Sequence, residues 1–114
     1  RDYIHVTDLA AAHIKALEYL LAGGQSAAFN LGTGKGYSVK EIVEAARNIT
    51  ARGIAVIDGQ RRFGDPPCLI SASQKARDVL GWSPVCSDIN TIIRHAWLWH
   101  EKRFKTKKTR RTDT

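Results

Sequence analysis

The chain of 114 residues has no methionine, two cysteines, three prolines and nine aromatic side chains. Each shortage excludes something. Position 1 is Arg, so the sequence is expected to be a processed chain or a piece of a longer protein. Cys68 and Cys86 stand 18 residues apart with no second pair, which fits neither a zinc spacing nor a disulfide framework. Two reduced thiols in a cytosolic protein are the expectation. The four histidines suit a metal no better. His95 and His100 are five apart, off a shared helical face, and His13 falls on an apolar stripe where a packed core ring is expected. No apolar run approaches the roughly 20 residues of a membrane-spanning helix. At 43% hydrophobic and 25% charged, with nine glycines, the composition is that of one small globular domain.

Charge of one sign is concentrated at one end. Net charge is +7, but residues 102–114 hold seven basic groups against Asp113 alone. Residues 1–101 are therefore close to neutral, and the remainder reads as a basic, disordered tail. Such a tail can attract any polyanion in a salt-sensitive way, although nucleic acid is not expected as the partner.

Along the chain, helical and extended patterns alternate, which predicts an α/β fold. RDYIHV reads as a strand, then Thr7 or Asp8 caps a helix striped by Leu9, His13, Ala16, Leu17, Leu20 and Leu21, stopped at Gly23-Gly24. AAFNL is a second strand, followed by the turn GTGKG. Ser38 and Glu41 have the spacing of a capping box, opening a helix with Val39, Ile42, Val43, Ala46 and Ile49 on one face. IAVI and LISAS read as further strands, separated by the loop RRFGDPP. Ser73 caps a short helix ending at Gly81, and a last helix runs from about Ser87 to about Phe104. So few short strands make a poor free-standing sheet. The chain therefore reads as the last part of a larger α/β protein, and its apolar helix faces should lack partners.

GTGKG lies where a phosphate cradle would, yet it matches neither template. A P-loop needs a glycine five residues before Gly34, where Phe29 stands, and a dinucleotide fingerprint needs one at Tyr37. A tight glycine turn is the simpler reading, with anion binding by its backbone N–H groups left as the alternative. RRFGDPP carries more chemistry. A guanidinium grips phosphate oxygens bidentately, and a carboxylate three residues on can accept from ribose hydroxyls. The same residues also fit a solvated loop with a local Arg–Asp pair. No nucleophile–base constellation or close carboxylate pair stands out.

Taken in order, RDYIHVTDLAAAHIKALEYL, FNLGTGKGYSVKEIVEAA, RRFGDPP, SQKARDVLGWSP and IIRHAWLWH form a series over about residues 1–100. The series resembles the C-terminal part of the UDP-glucose 4-epimerases, extended short-chain dehydrogenase/reductases. Related nucleotide-sugar dehydratases tend to carry a His after the Gly of R-x-G-D. Gly64-Asp65-Pro66-Pro67 lacks it, which favours the epimerases.

The resemblance implies an α/β substrate-binding portion over residues 1–101, with the NAD-binding Rossmann half missing. It implies a parent enzyme that interconverts UDP-glucose and UDP-galactose through oxidation and re-reduction at carbon 4, with NAD as cofactor. That parent is expected to be a cytoplasmic homodimer. The family's catalytic Ser, Tyr and Lys lie upstream, and no Tyr here is followed four positions later by Lys, so the chain alone is expected to be inactive. By motif, Arg1 and Arg62 correspond to the pair holding the UDP diphosphate, Asp65 to the ribose acceptor and Leu69 to a residue lining the sugar pocket. Phe63, where the family often has Pro or Glu, departs from the pattern. Two alternatives stand beside this reading: another nucleotide-sugar epimerase, acting on UDP-glucuronate or a UDP-N-acetylhexosamine, or a small non-enzymatic module with a polyanion-binding tail.

Overall fold

The computed structural model describes the backbone of residues 1–112 and the side chains of residues 1–105. Three α-helices, α1 (Val6–Leu21), α2 (Val39–Thr50) and α3 (Ile89–Thr112), are joined by long irregular segments and one π-helical turn, Ala76–Leu80. The helices begin where the sequence predicts, with local differences in capping. α2 has the full capping box: Ser38 Oγ accepts from the Glu41 N–H, and the Glu41 carboxylate accepts from the Ser38 N–H. α1 is capped two or three residues earlier than expected, by His5, whose Nδ1 accepts from the Thr7 N–H. α3 is capped by Asp88, its Oδ2 accepting from both the N–H and the hydroxyl of Thr91. Those two bonds hold the Asp88 carboxyl below its ordinary pKa. α3 continues past Phe104 to Thr112. The expectation of a disordered tail concerns residues 102–114; their backbone is helical as far as Thr112, while the side chains of residues 106–114 and all of residues 113 and 114 lie outside the described residues.

The expected α/β alternation is present in its helices and not in its strands: among the described residues there is none. A strand needs a ladder, and the segments read as strands find other hydrogen-bond partners. Arg1 and Tyr37 exchange one reciprocal backbone pair, at 2.8 Å each way. One rung does not make a sheet. Four residues on from Arg1, the His5 N–H donates to Ser87 Oγ and not to a neighbouring strand. IAVI lies at the surface, with Ile57 fully open.

The core is small. Ala12 of α1, Ala76 of the π turn and Trp82 are buried, with Ile4, Phe29, Leu31 and Leu80 packed around them. Two alanines where α1 meets the π turn leave room for the indole, which is 1% exposed and donates from Nε1 to the Asp8 carbonyl at 2.9 Å. α2 packs separately, along α3. The apolar stripe of α1 stays largely uncovered: Leu17 and Leu20 are more than half exposed, and Leu21 is 79% exposed. His13, expected in the core, is exposed as well, its Nδ1 within 2.8 Å of the Leu9 carbonyl oxygen. A side chain on that stripe is buried only if something lies over it, and nothing in the described chain does so at His13.

Candidate functional site

The loop of residues 61–69 is exposed throughout, with Gly64 in the left-handed region at its turn. Within it Arg62 Nε donates to Asp65 Oδ2 at 3.0 Å, and the Arg62 side chain is 85% exposed. Arg1 reaches this loop from far away in sequence. Its Nη1 donates to the Pro66 carbonyl oxygen at 3.0 Å. Three of the four residues singled out from the sequence, Arg1, Arg62 and Asp65, are thus gathered on one loop. Leu69 lies further along it, 57% exposed. Chemically the cluster offers two guanidinium groups and one carboxylate to solvent, which can take an anion and a pair of hydroxyls together. The Arg62–Asp65 ion pair also matches the simpler alternative of a local pair within a solvated loop.

Arg1 is held in place by its neighbour. The Asp2 carboxylate accepts from the Thr33 N–H and hydroxyl, the Gly34 N–H and the Ser71 N–H, at 2.8 to 3.2 Å. Burial pushes its pKa up, but the bonds from Thr33, Ser71 and Gly34 outweigh that, so the group sits below its ordinary range. This settles what the GTGKG turn does. Gly34, at φ +76°, provides the turn, and Gly32 lies so close to Asp2 that a Cβ there would come within 2.7 Å of Oδ2. The anion that the turn's N–H groups bind is the protein's own aspartate. With the Thr33 and Gly34 amides occupied, these residues do not fit a dinucleotide pyrophosphate.

Asp8 plays a parallel part that sequence reasoning missed. The side chain, 2% exposed, accepts from the Val85 and Cys86 N–H groups at 3.0 Å and from the Ser87 hydroxyl. Here too burial raises the pKa and the bonds from Ser87, Val85 and Cys86 prevail, leaving it lowered. Burial, then the nearby carboxylates of Asp8 and Asp88, push the Cys86 thiol up and keep it protonated. The only signal in sequence was an aspartate in a first helical turn; its partners lie more than 75 residues away. An open depression of about 410 Å³, lined by Lys35, Tyr37, Arg77 and Asp88 among others, contains none of the four predicted residues. Among the described residues no three His, Cys, Asp or Glu side chains are grouped to hold a metal ion, and no helix is long and apolar enough to cross a membrane.

No family model matches the chain. Individual proteins do. Over 101 residues it is 56% identical to the UDP-glucose 4-epimerase of Lacticaseibacillus casei, covering 89% of this chain and 30% of that protein. The chain is homologous to a part of the UDP-glucose 4-epimerases. A crystal structure of one such epimerase superposes with a TM-score of 0.85 at 53% identity, covering 90% of this chain and 31% of that one. The epimerase of Bifidobacterium longum, solved in complex with NAD+ and UDP, gives 0.78 at 32% identity, with 90% and 30% covered. The chain thus spans about 30% of the length of these epimerase relatives.

Proposed function

We propose that the chain is the C-terminal, UDP-sugar-binding portion of a UDP-glucose 4-epimerase and that residues 1–101 form that portion. The observation that carries the reading is the 56% identity over 101 residues to a part, 30%, of an enzyme of that name. The gathering of Arg1, Arg62 and Asp65 on one exposed loop supports the site assignment. In this reading Arg1 and Arg62 hold the diphosphate, Asp65 accepts from the ribose hydroxyls, and Leu69 borders the sugar. Arg62 would exchange its present partner, Asp65, for phosphate oxygens and leave the carboxylate to the ribose. The sugar end then turns while the nucleotide end stays anchored.

The parent uses NAD, bound by residues outside this chain, in keeping with a structural neighbour solved with NAD+ and UDP. The glycine turn of this chain spends its amides on Asp2 and takes no part in holding that cofactor. The parent works as a cytoplasmic homodimer, and the chain by itself is inactive because the catalytic Ser, Tyr and Lys are contributed from elsewhere.

The test is calorimetric binding of UDP to the parent enzyme and to its Arg62→Ala variant. Truncating one partner of a desolvated charge pair costs about 2–5 kcal/mol, so affinity should fall by about 30-fold or more. Deleting residues 105–114 should leave it unchanged. Equal UDP affinity in Arg62→Ala refutes the site assignment.

A further inference from the structure

Two imidazoles outside the loop cluster form a contact with a single permitted proton arrangement. His5 Nε2 and His95 Nδ1 are 2.9 Å apart, with the rings edge to face at 5.0 Å between centroids. The other nitrogen of His5 is already assigned. Nδ1 accepts from the Thr7 N–H at 3.0 Å, and so carries no proton. In the neutral ring the proton is therefore on Nε2, which must donate to an unprotonated His95 Nδ1. The opposite pair of tautomers would place a proton on His5 Nδ1, against the Thr7 N–H.

The pair cannot take up a proton without losing a bond. A proton on His95 Nδ1 faces the His5 Nε2–H. A proton on His5 Nδ1 faces the Thr7 N–H and breaks the α1 cap. If His95 becomes the donor, His5 must move its own proton to Nδ1, and the cap is lost again. Each protonated form gives up one of the two hydrogen bonds.

The contact also sits at a junction. The His5 N–H donates to Ser87 Oγ, and the Ser87 hydroxyl donates to Asp8, so His5 joins the start of α1, the segment before α3, and α3 itself. Among the groups facing the pair, the Asp8 oxygens are taken by Val85, Cys86 and Ser87, and Asp8 reaches His5 only through Ser87. The Asp88 carboxylate is bound by Thr91, and Cys86 is held as the neutral thiol. Arg94, the preceding residue of α3, carries a positive charge. His95 is exposed, so protons reach the pair from solvent.

We propose that the His5–His95 contact is a pH-sensitive latch, complete when both rings are neutral and weakened by uptake of one proton, which costs either the bond between the rings or the α1 cap and so loosens the joint between α1 and α3. The inference does not depend on the epimerase reading. Free imidazole changes charge between about pH 5 and 8, and a comparison of pH 8 with pH 5 brackets that range. Losing one hydrogen bond of ordinary strength changes an equilibrium about fivefold.

The experiment has two arms on the full chain. Long-range proton–nitrogen NMR at pH 8 should show unprotonated Nδ1 and protonated Nε2 on both rings. Urea unfolding at pH 8 and pH 5 should show an unfolding constant about fivefold larger at pH 5 beyond that of His95→Gln, whose side-chain oxygen accepts from His5 without titrating. His13→Gln and His100→Gln should keep the full pH effect. An Nδ1–H tautomer on His5 at pH 8 overturns the latch. So does a His95→Gln variant with the same pH dependence as the unmodified chain. Should that variant not fold, the tautomers of the unmodified chain still decide.

Discussion

Replacing Asp8 by alanine should be among the most damaging single changes in this chain, and its size can be worked from the bonds that are lost. The carboxylate is 2% exposed and accepts from three donors spread over Val85, Cys86 and Ser87. Val85 is itself exposed, so water can replace its lost acceptor. The Ser87 hydroxyl is buried and Cys86 half-buried, and water reaches them less readily. A buried donor left unsatisfied costs about 1–3 kcal/mol, so two of them give about 3 kcal/mol for Asp8→Ala. Small domains are stable by only about 5–15 kcal/mol in total. Asp8→Asn keeps one acceptor oxygen but turns an amide N–H₂ toward a backbone N–H, and should cost about 2 kcal/mol. Urea unfolding followed by tryptophan fluorescence reads this directly, because the Trp82 indole donates to the Asp8 carbonyl at the same joint. With an m-value of about 1.5 kcal/mol/M, the midpoint of the alanine variant should move down by about 2 M. A loss below about 1 kcal/mol for Asp8→Ala would refute the view that this carboxylate joins α1 to the segment before α3.

Two further outcomes follow from the same bonding. Gly32→Ala brings a methyl within 2.5 Å of the Ser71 Cβ and 2.7 Å of Asp2 Oδ2, and should destabilise by about 1–3 kcal/mol in the same unfolding assay. Asp2 and Asp8 both titrate below the ordinary value of 3.8 in the folded chain. Their contribution to stability is therefore complete above that value and is lost as pH falls through the lowered folded values. A melting-temperature series should show a steep decline below about pH 4 that is shallower in Asp8→Asn. That acid limb is separate from the imidazole window.

What the sequence made legible was whatever depends on near neighbours. The Ser38–Glu41 capping box is visible as a spacing of three, and the stop at Gly81 as a single residue type. The Arg62–Asp65 pair is likewise contained within four residues. The motif order also pointed to the loop that Arg1 reaches, although only the coordinates show its Nη1 on the Pro66 carbonyl. The strands could not be judged this way. Alternating apolar residues say that a segment could enter a sheet, while a ladder requires a second backbone beside it. In the described chain Arg1 and Tyr37 supply one rung and Ile57 faces open space. The roles of Asp2, Asp8 and His5 were hidden for another reason. A buried carboxylate is identified by its donors, and these are contributed from turns 31 to 79 residues away. Ser73 shows the same limit: a plausible helix cap by position, it sends its hydroxyl to the Gly32 carbonyl oxygen instead.

The anchoring of Arg1 by its own backbone and by Asp2 bears on the entropy of ligand capture. Fixing a flexible, charged side chain at the moment of binding costs about 0.5–1.5 kcal/mol. For Arg1 much of the backbone share is settled during folding, because the Tyr37 pair and the four bonds to Asp2 fix where that residue starts. Arg62 is different: its ion pair lies within the loop that carries it, and moves with that loop. Of the two arginines, one starts from a fixed backbone and the other rides on its loop. Stiffening residues 61–67 should therefore tighten the hold on an anion, whereas stiffening the chain around Arg1 should change little.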